Sequence, residues 1–135
     1  MRKKLFTVIL FCFPTFLFAQ NDLQKEVGGI STSLQVGQYF DLGQTGVKFL
    51  KVIYDSRCPK QVTCIWPGEA KVLLGINING EYFEKEVVIS GWGGEFSLEG
   101  LNMQLSHLRP YPETALGIAP EEYCLRFSTA FPAAD

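Results

Sequence analysis

Asp55-Ser56-Arg57-Cys58-Pro59-Lys60-Gln61-Val62-Thr63-Cys64-Ile65-Trp66-Pro67-Gly68-Glu69-Ala70 is the stretch around which the rest of the chain is read. Two cysteines with five residues between them enclose a proline, and a tryptophan and a Gly-Glu pair follow directly. An apolar stretch runs in from Val47 to Tyr54 and another runs out from Ala70 to Ile78. The segment reads as a corner between two strands, pinned by its cysteines.

On the entering side, Val47, Phe49, Lys51 and Ile53 form one parity, and Lys48, Leu50, Val52 and Tyr54 the other. Both are largely apolar, which predicts a central strand covered on both faces. On the leaving side Val72, Leu74, Ile76 and Ile78 share one parity, and Asn79-Gly80 follows. That pair is a strong hairpin signal, because both residues tolerate the positive φ of a type I′ turn. A two-residue loop sets Ile76 opposite Phe83 and Val72 opposite Val87, apolar on apolar, so the register is self-consistent. Leu74 then faces Lys85, which predicts a wet strand edge at that position.

Further out the same pattern continues. Residues 31–42 are β-like, and Gly43-Gln44-Thr45-Gly46 is a turn by composition. Gly91-Trp92-Gly93-Gly94 is a glycine-rich break, read as a tight turn with Trp92 packed as a lid in preference to a mobile loop presenting that ring. Phe96/Leu98 and Leu101/Met103/Leu105 make short strands on either side of Glu99-Gly100, and Arg109-Pro110-Tyr111-Pro112 is an extended linker. Ala119-Pro120-Glu121-Glu122 suits one helical turn, and Tyr123, Leu125 and Phe127 alternate in a closing strand. No segment sustains a 3.6-residue apolar period. The expectation is an all-β, antiparallel β-sandwich of about seven strands, immunoglobulin-like in its layered architecture.

Met1-Arg2-Lys3-Lys4, an apolar run from Leu5 to Phe18, and Ala19-Gln20 have the form of a secretory signal peptide. The run is short of the ~20 apolar residues of a membrane span. Residues 1–19 are therefore read as a signal peptide, 20–30 as a flexible lead-in and 31–135 as a single domain. No stable membrane span is expected after cleavage, and the mature chain is placed outside the cytoplasm, in the periplasm or extracellular space. Without Arg2, Lys3 and Lys4, 9 basic residues stand against 14 acidic ones, a net charge of −5. That balance argues against nucleic acid, which calls for a basic stripe.

Three cysteines remain in the mature chain, in a compartment that oxidises thiols. Cys58 and Cys64 are the favoured disulfide by proximity, with Pro59 stiffening the ring; Cys124 is then a buried free thiol. Two other pairings are compatible with the sequence. A zinc set of Cys58, Cys64, His107 and Cys124 is disfavoured, because the first spacing is too long and export favours oxidised sulfur. No metal or cofactor is expected.

The string DSRCPKQVTCIWPGEAKVLL, with its incoming VKFLKV strand, resembles a group of small secreted bacterial proteins sharing a DSRCP-x4-C-x-W-x-G-x-A pattern. The resemblance extends weakly through Leu108-Arg109-Pro110-Tyr111-Pro112 to the Tyr123 strand. It implies the fold and export, and implies no activity.

Two readings of the corner stand side by side. In the framework reading Arg57 pairs with Asp55 or Glu69, and Trp66 is a core anchor packed on the disulfide. In the recognition reading Asp55, Arg57, Trp66, Glu69 and Trp92 form a binding patch, with the guanidinium fork and the tryptophan ring as its contact surfaces. Catalysis has no support: there is one histidine, no Gly-x-Ser-x-Gly elbow, and the paired carboxylates Glu84/Glu86 and Glu121/Glu122 lie in a solvated strand and a turn. The expectation is a non-enzymatic binding or interaction module for a protein or carbohydrate partner. The alternatives are an inhibitor of hydrolases acting through the Cys58–Cys64 loop, or a small-ligand or metal carrier.

Overall fold

Strong β-formers in alternation, punctuated by turn residues, fold into eight strands. The computed structural model describes residues 29–91 and 93–130. The strands are β1 (Gly29–Gln35), β2 (Tyr39–Asp41), β3 (Thr45–Asp55), β4 (Ala70–Ile78), β5 (Glu81–Ile89), β6 (Gly94–Leu98), β7 (Leu101–Arg109) and β8 (Cys124–Ala130). One 3-10 turn, Pro120–Glu122, precedes β8, where one helical turn is expected. Residues 1–19, read as a signal peptide, residues 20–28 of the expected lead-in, and Trp92 lie outside the described residues. Gly29 and Ile30, assigned by sequence to the lead-in, are the first residues of β1. Among the described residues no helix is long and apolar enough to cross a membrane.

The strands form two antiparallel four-stranded sheets, β1-β8-β7-β6 and β2-β3-β4-β5. This is the expected sandwich, with one strand more. Each strand from β2 to β5, and from β6 to β8, pairs with its sequence neighbour, and β1 closes on β8. The immunoglobulin likeness thus holds for the layers, while the connections run as meanders instead of a Greek key.

One core lies between the sheets. Val47 and Phe49 of β3 and Val72, Leu74 and Ile76 of β4 meet Met103, Leu105, Leu125 and Phe127 from the other sheet. Phe40 packs edge-on against Phe127 with centroids 5.9 Å apart. The Asn79-Gly80 hairpin has the expected register, with Ile76 opposite Phe83 and Val72 opposite Val87, and φ of 52° and 87° at its two turn residues. Leu74 does face Lys85; the edge strand β5 is wet there, with Lys85 exposed, while the Leu74 side chain itself is fully buried. Leu74 points inward into the core, and only its partner reaches water.

β3 differs more. It is flanked by β2 and β4, yet only one face is covered: Lys48 and Lys51 are exposed, and Ile53 and Tyr54 are 39 % and 38 % exposed. The pairing with β4 slips between Phe49 and Lys51 and again between Val52 and Tyr54. Each bulge inserts a residue and reverses the parity beyond it. Two inserted residues scatter apolar side chains over both parities, and that scatter mimics a strand buried on both faces.

Candidate functional site

Leaving β3, the chain makes the corner under tight local control. Ser56 N–H donates to Glu69 O at 2.8 Å and Cys58 N–H to Pro67 O at 2.9 Å, so the two legs run side by side at their base. Gly68 makes that approach possible. Its φ is 70°, and a Cβ there would collide with the Ser56 carbonyl. Cys58 and Cys64 are joined, with Cα atoms 5.9 Å apart. Within the ring, Val62 N–H donates to Pro59 O at 3.1 Å, folding it into a turn.

Arg57 is the hub beneath this loop. Its Nε donates to Asp55 Oδ1 at 2.8 Å and its Nη2 to Asp55 Oδ2 at 2.6 Å, a bidentate pair with side chains only 9 % and 8 % exposed. Two further N–H groups go to backbone: Nη1 to Leu108 O at 2.6 Å and Nη2 to Pro110 O at 3.0 Å. The Tyr111 ring lies 5.1 Å from the guanidinium carbon, and its hydroxyl donates to Cys58 O at 2.8 Å. From the far side, the Tyr123 hydroxyl donates to Asp55 Oδ2 at 3.0 Å.

The electrostatics follow from this geometry. Burial pushes the Asp55 carboxyl up, but hydrogen bonds from the Arg57 side chain and backbone, the guanidinium charge and the Tyr123 hydroxyl outweigh it and hold it below the usual range. Burial, and then the hydrogen bond to Asp55, push the Tyr123 phenol up to about 12. Both shifts record one arrangement: an ionised carboxylate holding a guanidinium and a neutral phenol.

The segment after β7 braces the loop from outside. Lys60 N–H donates to Pro112 O at 3.0 Å and Gln61 N–H to Glu113 O at 3.1 Å, and Lys60 Nζ pairs with Glu113 at 2.5 Å. The loop is thus closed on itself at its base and tied to the end of β7 and to the following linker. What it holds up is apolar: Ile65 is 93 % exposed and Trp66 78 %.

Of the residues expected to form a binding patch, Asp55 and Arg57 come together and are largely buried. Arg57 pairs with Asp55, one of the two partners that the framework reading names. Glu69 does not pair with Arg57; it accepts the Tyr54 hydroxyl at 2.6 Å, and that hydrogen bond raises the Tyr54 phenol. Trp66 is not a core anchor, since most of its surface faces water. Trp92 is outside the described residues.

The expected Cys58–Cys64 disulfide is present and Cys124 is free, but Cys124 is half-buried. Its strand partners Gln35 and Arg109 are both exposed, so it sits on the outer face of its sheet. With two of the four thiol and imidazole groups of the imagined zinc set consumed in the disulfide, that set does not exist. Among the described residues, no three His, Cys, Asp or Glu gather as a metal site.

Tyr111, Tyr123 and Ile65 are the residues of the site that sequence reasoning missed. Tyr111 stands between two prolines and Tyr123 at the start of an apolar alternation, where both read as filler. A cleft of about 200 Å³ beside the corner is lined by Arg57, Pro67, His107, Leu108 and Tyr111. A larger, shallow cavity of about 670 Å³ lies against β6, β7 and β8, with Ser97, Asn102, Gln104 and Ser128 among its lining. No family model, curated protein or solved structure matches the chain.

Proposed function

We propose that the chain is an exported, non-enzymatic binding module whose contact point for a protein partner is the Ile65–Trp66 tip. The observation that carries this reading is the pairing of opposites at the corner: a nearly buried ionic hub below, and two adjacent large apolar side chains 93 % and 78 % exposed above. Single exposed apolar residues are ordinary. Two in succession, on a loop held by a disulfide, by backbone hydrogen bonds across its base and to Pro112 and Glu113, and by the Arg57 side chain on Leu108 O and Pro110 O, are a preorganised anchor. Ordering such a loop is a cost met in folding and not at binding. Tryptophan is also among the residues that most often dominate interface energetics.

The apolar leader and the disulfide support export. The Pro59–Val62 turn, and the use of Lys60 and Gln61 N–H groups by Pro112 and Glu113, leave no extended strand in the ring for a hydrolase to read. For that reason the tip, and not the ring, is taken as the contact.

The test uses the mature protein as bait against exported proteins of its own cell. A partner retained by the parent and by Leu116→Ser, a control at a 95 % exposed position elsewhere, is expected to be lost by Ile65→Ser/Trp66→Ser. Equal retention by that double variant sinks the proposal, and so does a parent that retains nothing above an unrelated bait.

A further inference from the structure

The free edge of β1 is a second surface, independent of the corner tip. The edge strands of the two sheets are β1, β6, β2 and β5. Three of them are blunted in ways that discourage pairing with another chain. β2 has three residues, β6 has five and includes Glu95, and β5 carries Glu81, Glu84, Lys85 and Glu86. β1 has none of these devices. Gly29-Ile30-Ser31-Thr32-Ser33-Leu34-Gln35 runs seven residues without a charge or a proline, and no bulge interrupts its register with β8. All of it is exposed except Thr32, which is half-buried, and Leu34.

The turn that ends β1 fixes which of its backbone groups face outward. Val36 N–H donates to Tyr123 O at 3.3 Å, so Val36 points toward β8. Residues of an antiparallel strand alternate between pointing at the partner and pointing away from it. Ile30, Thr32 and Leu34 therefore bond to β8, while Gly29, Ser31, Ser33 and Gln35 turn their N–H and C=O groups outward. Gln35 obeys that alternation. Its N–H donates to Gln38 Oε1 at 2.8 Å and its carbonyl accepts from Gln38 N–H at 3.0 Å, so its own turn closes it. Among the described residues, no strand lies across from Ser31 and Ser33 on that side.

We infer that β1 pairs antiparallel with β1 of a second copy of this chain, joining two sheets into one across a two-fold axis at Thr32. That axis sets Ser31 opposite Ser33 of the second copy, and Ser33 opposite its Ser31. Both pairs fall on outward-pointing residues, so every free N–H and C=O of Ser31 and Ser33 is met. Gln38 stops the ladder at Gln35, and a strand from another protein gains no more backbone bonds than the second copy does. In the same register Thr32 meets Thr32, and Ile30, 43 % exposed, meets Leu34 of the second copy. The pairing is hydroxyl on hydroxyl and apolar on apolar. The contact uses the same patch on both copies and is therefore closed, not fibre-forming. In a mature chain of net negative charge, the uncharged β1 lets two copies meet without like charges opposed. A foreign strand would be selected by complementary charge, which β1 lacks.

The test reads the mass of the mature protein by sedimentation equilibrium over a range of concentrations, and then the register by cross-linking. The parent is expected to be a reversible dimer. Ser33→Pro removes an outward N–H from each copy at an edge position that tolerates proline, and should weaken the dimer by about tenfold or more. The cysteine variants carry Cys124→Ser as well. Thr32→Cys meets itself across the axis, at a non-hydrogen-bonded pair with Cα atoms about 4.5 Å apart, and should cross-link on mild oxidation. Ser31→Cys and Ser33→Cys lie roughly 7–8 Å from their own counterparts; each should stay uncross-linked alone and cross-link when the two are mixed. Ile65→Ser/Trp66→Ser should dimerise like the parent, which separates this inference from the one about the corner. A parent that is monomeric at every concentration, the result if residues 20–28 cover this edge, would overturn it. So would a folded Ser33→Pro that dimerises like the parent, or Ser31→Cys alone cross-linking as readily as Thr32→Cys. Should Ser33→Pro fail to fold, the cross-linking pattern decides.

Discussion

The hydroxyl of Tyr123 donates to Oδ2 of Asp55 at 3.0 Å, joining the residue before β8 to the last residue of β3. The same carboxylate holds Arg57, so a single acidic group connects one sheet to the other and both to the corner loop. Removing the hydroxyl alone leaves the ion pair in place. Tyr123→Phe is expected to lose about 1.5–3 kcal/mol, the range for a hydrogen bond to a charged group, read as a lower urea midpoint with an unchanged slope.

The two shifted groups of the hub contribute to opposite limbs of the pH profile. Asp55 has its folded pKa lowered, so its contribution is present above the unfolded carboxyl value of about 3.9 and is lost as pH falls below it. Tyr123 is raised to about 12, so its contribution is complete below the unfolded phenol value of about 10 and is lost as pH climbs from there toward 12. Melting temperature should be flat between these limits and fall on both sides. Tyr123→Phe should flatten the alkaline limb between about pH 10 and 12; an alkaline limb of unchanged steepness in that variant would show that other groups set it.

Opening the ring should have a local effect first. Cys58→Ser/Cys64→Ser is expected to lower stability by about 2 kcal/mol, the chain-entropy value for so short a loop. Amide hydrogen exchange should accelerate at Lys60, Gln61 and Val62, while the Ile76–Phe83 hairpin keeps its protection. Uniform acceleration across both sheets would show the disulfide to be a global staple. Cys124, half-buried on an outer face, should alkylate slowly in the native state and not only after denaturation.

Much of this architecture can be read from the chain because its signals are local. Asn79-Gly80 sets a hairpin register through its own φ angles, and the cysteine pair closes across a short ring. The errors arose where the deciding contact is distant. The double bulge of β3 depends on its pairing with β4, and the apolar residues on both parities disguise it as two-sided burial. Trp66 next to a disulfide cysteine looks like a core anchor; its exposure follows from the bracing of the loop by residues 108–113, some fifty positions away. Arg57 is a divided case: its pairing with Asp55 is two residues away and legible, whereas its other acceptors, Leu108 O and Pro110 O, lie 51 and 53 positions on and are not.

The division of the corner into a buried ionic hub and an exposed apolar tip is tested most directly by the melting temperatures of two single variants. Arg57→Ala leaves Asp55 without its cation in a largely buried site, a loss of about 3–5 kcal/mol, or more than 10 °C by the scaling of about 4 °C per kcal/mol for a domain of this size. Trp66→Ala removes a ring already in water and should stay within about 0.5 kcal/mol of the parent. The account predicts that order, with Arg57→Ala far the less stable of the two. A Trp66→Ala protein that loses about 3–5 kcal/mol, as expected of a buried tryptophan, beside an Arg57→Ala protein that melts like the parent, would contradict it.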